Sequence, residues 1–145
     1  MPGLDRFVDA QRDTYAAALD EIGAGTKRSH WMWFVFPQIA GLGRSPTAQY
    51  YAIADLGEAR AYLAHPVLGR RLAECTDRML DWGGKRSAAS ILGGIDALKF
   101  RSSMTLFEAA ARDPAQGARF ARALDAFCQS HRDERTLQRL DSADG

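Results

Sequence analysis

Apolar residues recur at helical spacing through most of the chain, and the departures from that rhythm carry the most information. Leu4, Phe7, Val8, Gln11, Tyr15, Ala18, Leu19 and Ile22 follow an i, i+3, i+4 progression with Asp, Arg and Glu opposite, which predicts one amphipathic helix over residues 4–22. Gly23 and Gly25 end it, because glycine accepts the left-handed conformation that closes many helices. Residues 31–36, Trp31-Met32-Trp33-Phe34-Val35-Phe36, show no amphipathic period. Such a short run, apolar on every side, is buried on every side, and periodicity alone does not separate helix from strand. The lack of convincing partner strands elsewhere favours helix. Pro37 interrupts or ends it, and Gly41 and Gly43 turn the loop after it.

Beyond that loop, helix starts are frequent. Ser45-Pro46 sets an N-cap before a proline suited to the first helical position, opening a helix over 47–53. Asp55 with Glu58 forms a capping-box-like pattern for a helix through Leu63, ended by His65-Pro66. Val67, Leu68, Leu72, Cys75, Met79 and Leu80 mark the next, closed by Gly83-Gly84. Residues 87–92 form a short helix stopped at Gly93-Gly94. Ser102 or Ser103 is expected to cap a helix carrying Met104, Leu106 and Phe107. Asp113-Pro114 opens another with Phe120, Leu124 and Phe127 inward, and Asp133 starts a last one. The expected fold is all-α: one compact domain of about seven to nine short and medium helices, not a simple four-helix bundle. It spans residues 1–145, with a core over about 4–130 and a fraying tail at 141–145.

Composition agrees with a globular domain. A chain of 145 residues, 46% hydrophobic and 26% charged, buries enough surface to fold without disulfides or metals. Nineteen basic residues against eighteen acidic leave a net charge of +1, so no whole-molecule field draws in nucleic acid or an anionic membrane. No nucleic-acid partner is predicted. Cys75 and Cys128 lie among helix formers, without metal-binding spacing, and read as buried or half-buried thiols. The first twelve residues lack the apolar core of a signal peptide. The longest apolar run is six residues, where a membrane span takes about twenty. A soluble, cytoplasmic protein is expected, with its oligomeric state left open.

No phosphate-binding glycine loop, dinucleotide fingerprint, HExxH, GxSxG or calcium loop is present, so no cofactor is implied. His30, His65 and His131 lie far apart with no second ligand at helical spacing, so no metal site is implied either. Two polar blocks remain. The first frames the aromatic run: Lys27 and His30 before it, Gln38 and Ser45 after it. His30 reads either as a histidine bonding backbone at a helix start or as a pocket-rim group that binds an anion or moves a proton. At least one tryptophan should reach a polar edge with its indole N–H. The second block is 96–105, where Lys99 and Arg101 precede Ser102, Ser103 and Thr105, and Asp96 can hold Lys99. Hydroxyls, a lysine and free amides at a helix start would seat a phosphate or carboxylate.

These residues carry a family resemblance. The string from His30 through Gln38, with Gly41-Leu42-Gly43 and Ser45, resembles the bacterial family catalogued as domain of unknown function 1810. The likeness continues through Glu58-Ala59, Tyr62-Leu63, Leu68-Gly69, Arg71-Leu72 and Asp96, then Lys99-Phe100 and Ser102-Ser103-Met104-Thr105-Leu106-Phe107, covering roughly 4–130. It implies an all-α fold and no established activity, catalytic residue or cofactor. The name "calpastatin" that members often carry does not fit a chain without disordered repeats. Residues 45–51 also bear a loose likeness to the polar–Tyr helix start of the helical family that cleaves N-glycosidic bonds of ADP-ribose, from which no residue role is carried over.

Two functions remain in view. In the first, Lys27, His30, Gln38, Ser45, Lys99 and Ser102 frame a pocket for a small anionic or nucleotide-derived ligand, backed by Trp31 or Trp33. His30 and Asp96, or Glu58 in the latter's place, are then the acid–base candidates, and both polar blocks must meet in one cavity. In the second, the aromatics are pure core and the protein is a non-catalytic interaction module. Arg70, Arg71, Arg78, Lys85 and Arg86 would then dock an acidic partner.

Overall fold

The computed structural model describes residues 3–144, with side chains through residue 141. The helices are α1 (Asp5–Arg12), α2 (Tyr15–Gly23), α3 (Met32–Val35), α4 (Pro46–Tyr50), α5 (Leu56–Ala64), α6 (Leu68–Leu80), α7 (Ala88–Leu92), α8 (Gly94–Ala110), α9 (Pro114–Phe127) and α10 (Glu134–Asp144). All-α it is, in one compact domain, with ten helices among the described residues rather than seven to nine. The tail expected to fray, 141–145, keeps a helical backbone to Asp144, and residue 145 lies outside the described residues.

The extra helix comes from the first amphipathic stretch, which is broken in two. Its apolar rhythm passes through Asp13 and Thr14 unbroken, but both are weak helix formers whose side chains compete for backbone. Thr14 Oγ1 donates to the Ala10 carbonyl at 2.6 Å. The break lets α1 pack on α3 while α2 packs on α6. Arg6, on the flank of α1, is buried and fans out to the carbonyls of Gly3, Tyr50 and Ala52 and to Glu58. It ties the start of the chain to the α4–α5 connection.

The aromatic run forms a single helical turn, α3, which ends before Pro37 at a non-helical Phe36 (φ −125°, ψ 73°). Trp31, Met32, Phe34, Val35 and Phe36 are all buried. The next stretch of chain departs from expectation. The helix predicted over 47–53 stops at Tyr50, and Ile53 instead pairs as a parallel bridge with Ile39. Ile53 N–H donates to the Gln38 carbonyl and Ala40 N–H to the Ile53 carbonyl, each at 2.8 Å. Two isolated extended residues satisfy buried backbone here without a sheet.

Helix α8 is the centre of the domain and packs against α5, α7, α9 and α10. Residues 102–107 are buried without interruption, so this stretch of the helix is covered on every side. The expected cap at Ser102 or Ser103 is therefore wrong by more than two turns. Gly93, at φ 92°, both ends α7 and caps α8. The hydroxyls that suggested a helix start are satisfied within the helix: Ser102 Oγ donates to Leu98 O and Thr105 Oγ1 to Arg101 O. Thr105 Oγ1 also accepts the Asp133 N–H at 2.9 Å, which fastens the start of α10. Other caps fall where the sequence puts them, with Asp55, Ser87 and Asp113 each accepting an N–H of the following turn. Cys75 and Cys128 are free and buried, and burial pushes the Cys75 thiol up to about 12.

Ser103 is fully buried and its Oγ has no protein partner. A buried hydroxyl left unmade costs about 1–3 kcal/mol, and alanine is the better helix former. Ser103→Ala is expected to raise stability by about 1 kcal/mol, read as a higher urea midpoint at unchanged m-value. A lower midpoint would show that the hydroxyl is satisfied in solution.

Candidate functional site

The site forms where the segment leading into α3, the loop after it and the first half of α8 come together. The turn at Gly93 sets the first turn of α8 beside Lys27, whose backbone N–H donates to the Ile91 carbonyl at 2.7 Å. Asp96 lies in that first turn, where the helix dipole favours a carboxylate. One of its oxygens receives Lys27 Nζ at 3.0 Å and the other Lys99 Nζ at 3.5 Å. Each lysine also lies over an indole: Lys27 Nζ is 5.3 Å from the Trp31 ring centroid and Lys99 Nζ 4.9 Å from that of Trp33. Those distances are within the range over which an aromatic face attracts a cation. The two polar blocks, some seventy residues apart, thus meet at one carboxylate.

Open space lies on both sides of Ile95. One hollow of about 370 Å³ is lined by Lys27, His30, Trp33, Gly94 and Asp96, among others. A second of about 370 Å³ is lined by Gln38, Leu42, Lys99, Arg101, Ser102 and Arg135, among others. Ile95 walls both, and it is 75% exposed, with Leu98 of the second hollow 61% exposed. The two hollows flank the first half of α8 and share Ile95 as a wall; taken together as the trough, they carry Lys27 in one, Lys99 in the other, and two arginines toward α10.

Of the residues singled out in the sequence, Lys27, His30 and Asp96 line the first hollow, and Gln38, Lys99 and Ser102 the second. Trp31 and Ser45 line neither. Trp31 is buried and donates its indole N–H to Glu21, so Trp33 is the ring that faces the open space. Ser45 caps α4 by accepting the Ala48 N–H at 3.1 Å. Glu58 is held by Arg6 and by the Ala54 N–H. In the basic run, Arg71 lies over the Tyr15 ring and donates to Gln11, and Arg86 donates to the Gly25 carbonyl. Arg70, Arg78 and Lys85 are exposed.

Two contributors escaped the sequence reading. Arg135 comes from α10 and reaches the trough through the packing of α10 on α8, which no local pattern signals. Glu21 sits on the polar side of α2 and looks like an ordinary surface acid. Its Oε1 accepts the Arg28 and Ser29 N–H groups and the Trp31 indole, and its Oε2 accepts the Ser29 hydroxyl. It thereby fixes the loop that carries Lys27 and His30. Desolvation pushes the Glu21 carboxyl up, but the bonds from Ser29, Arg28 and Trp31 outweigh it and hold the group at about 2, against a usual 4.5.

Chemically, the trough offers cations and an amide to an anion, with a flat indole wall. Asp96 has both oxygens engaged by lysines, so its first role is to position them. His30 is exposed at the rim, where an imidazole can pass a proton. Among the described residues, no three His, Cys, Asp or Glu side chains gather as a metal site requires.

Fold and site together define a single-domain, all-helical protein with a cation-lined trough along its central helix. The chain belongs to the family described as "Protein of unknown function (DUF1810)", whose model matches residues 2–140. It is similar to the conserved hypothetical protein Rv1873 from Mycobacterium tuberculosis, a crystal structure 46% identical in sequence that matches with a TM-score of 0.90 over 95% of this chain and 96% of that one. No curated protein matches.

The ties at the site lead to two expected outcomes. A carboxyl depressed in the folded state stabilises above its unfolded pKa, and Glu21's contribution is lost as pH falls from about 4.5 to about 2. Glu21→Gln should lower stability at neutral pH by about 1–3 kcal/mol and flatten that acid limb in urea titrations. An acid limb as steep as wild type would contradict the assignment. Asp96→Asn leaves Lys27 and Lys99 facing each other with no counter-charge and should cost about 1–3 kcal/mol, between exposed and buried ion pairs. A loss below 0.5 kcal/mol (roughly the surface value) would show that the pairs do not hold in solution.

Proposed function

We propose that the trough along α8 binds a small anionic ligand, with phosphate- or carboxylate-bearing nucleotide derivatives as the first class to test. The observation that supports this most is the meeting of Lys27 and Lys99 at Asp96, each lysine backed by an indole, beside open space on both sides. Holding two ammonium groups beside buried aromatics is unfavourable without a compensating charge. Asp96 supplies one negative charge to two lysines, and Arg101 and Arg135 add two more cations against Asp133. Asp133 is occupied as the cap of α10, accepting from the Thr136 N–H and hydroxyl. The surplus positive charge is therefore open to an anion.

In this reading Lys99, Arg101 and Arg135 hold the anionic group, Gln38 orients it, Ser102 lines the wall with its hydroxyl turned to Leu98, and Trp33 flanks a planar portion. Lys27 and His30 frame the far end. If the protein is an enzyme, His30 is the proton-transfer candidate, with Asp96 setting the charge around it. Buried free thiols at Cys75 and Cys128 support a reducing, cytoplasmic setting, and among the described residues no helix is long and apolar enough to cross a membrane.

A ligand that binds the native state alone raises its melting temperature, by an amount equivalent to about 2.7 kcal/mol at a hundred times Kd. Thermal-shift measurements with AMP, ADP-ribose, inorganic phosphate and citrate, against sodium chloride of equal ionic strength, should show a rise of several degrees for at least one anion. Lys99→Met should remove the rise, whereas Arg70→Ala with Lys85→Ala should leave it intact. Asp96→Asn, though less stable, should bind the same anion more tightly. If every anion behaves as chloride does, the proposal is wrong and the exposed basic face of α6 becomes the surface to pursue.

A further inference from the structure

A second hollow lies away from the trough, where the C-terminal ends of α5 and α8 meet the first turn of α9. It measures about 120 Å³ and is lined by Arg60, Leu63, Ala64, Ala110, Arg112 and Gln116. No acidic side chain is in that lining. Arg60 Nε is buried with no protein partner, and neither the Arg60 nor the Arg112 side chain makes an ion pair or hydrogen bond among the described residues. A guanidinium presents its donors as a planar fork that matches a carboxylate, and it cannot escape burial by losing its proton. Arg60 is half-buried with its Nε enclosed, and Arg112 stands exposed at the rim of the same hollow, so an anion seated there can meet both.

The local field has to be weighed first. The ends of α5 and α8 each bring about half a negative charge, and the start of α9 about half a positive one. Asp113, next to Arg112, turns its carboxylate to the Ala115 N–H at 2.8 Å and stays out of the lining. Two full positive charges still exceed the sum of these. Of the remaining walls, Leu63, Ala64 and Ala110 are hydrocarbon and Gln116 adds one amide, a lining that favours an anion with an apolar body over phosphate or sulfate. A cavity of about 150 Å³ accepts benzene, with six heavy atoms, so 120 Å³ suits about five, the number in propionate.

We propose that this hollow binds a small aliphatic monocarboxylate, its carboxylate on Arg60 and Arg112 and its chain against Leu63, Ala64 and Ala110. The site is independent of the trough and stands or falls separately from it. The test is a titration of ¹⁵N-labelled protein with sodium propionate, followed by NMR at the Arg60 Nε–H and the Ala110 and Gln116 amides. Sodium chloride of equal ionic strength and propionamide serve as controls. Saturable shifts with propionate alone are expected, weakened at least tenfold in Arg112→Met. They should vanish in Ala64→Leu, which fills the hollow from an exposed position and leaves both charges in place. Equal shifts with chloride or propionamide, or wild-type binding in either variant, would overturn the proposal.

Discussion

The structure depends on burying one segment that is apolar on every side. Trp31 to Phe36 has no polar face to offer water, so the domain must close around it, and every backbone or indole group it carries inward needs a partner. Gln11 Nε2 donates to the Phe34 carbonyl at 2.7 Å, and the Tyr62 hydroxyl approaches the same oxygen. Glu21 receives the Trp31 indole. Phe36 meets Phe100 edge-on at 5.0 Å, and Phe34 meets Tyr51 at 5.2 Å. Four helices and a loop are thus drawn to one turn of chain by apolar contact and held in place by three polar ties. Because burial stabilises by area while orphaned polar groups cost individually, the ties decide where each helix sits.

The same closure produces the trough. Once the aromatics are sunk, their polar margins, Lys27 and His30 on one side and Gln38 on the other, are left at the surface beside α8. That helix is also buried along its middle, so its exposed first half is the stretch available to face them. Asp96 links the two pieces through Lys27 and Lys99, whose side chains are 11% and 24% exposed. Partly buried pairs of this kind are poor sources of stability, because desolvation offsets most of the attraction. Their better-supported effect is positional, and here they keep two cations pointing at open space.

The elements legible in the sequence were those with a local cause. The caps at Ser45, Asp55, Ser87 and Asp113 depend on a side chain and an amide two or three residues away, so spacing suffices to find them. The amphipathic helices α6 and α9 announce themselves by periodicity. The all-α class follows from the same signals. The sequence required both polar blocks to share one cavity; Lys27 does reach Asp96, but the residues of the two blocks divide between two neighbouring hollows.

What the sequence determined by itself, then, was the class of fold, most helix starts, and the list of polar residues standing next to the aromatic run. Tertiary structure decided the rest, because the deciding partners are distant. Ser102 and Ser103 looked like a cap, since neither a hydroxyl bonding its own helix carbonyl, as at Ser102, nor one buried without a protein partner, as at Ser103, leaves a periodic trace. Glu21 and Arg6 looked like surface charges, since nothing local shows that a loop will fold over them. Trp31 and Trp33 are two residues apart in identical company. Only packing made one a buried ring tied to Glu21 and the other the wall of an open hollow.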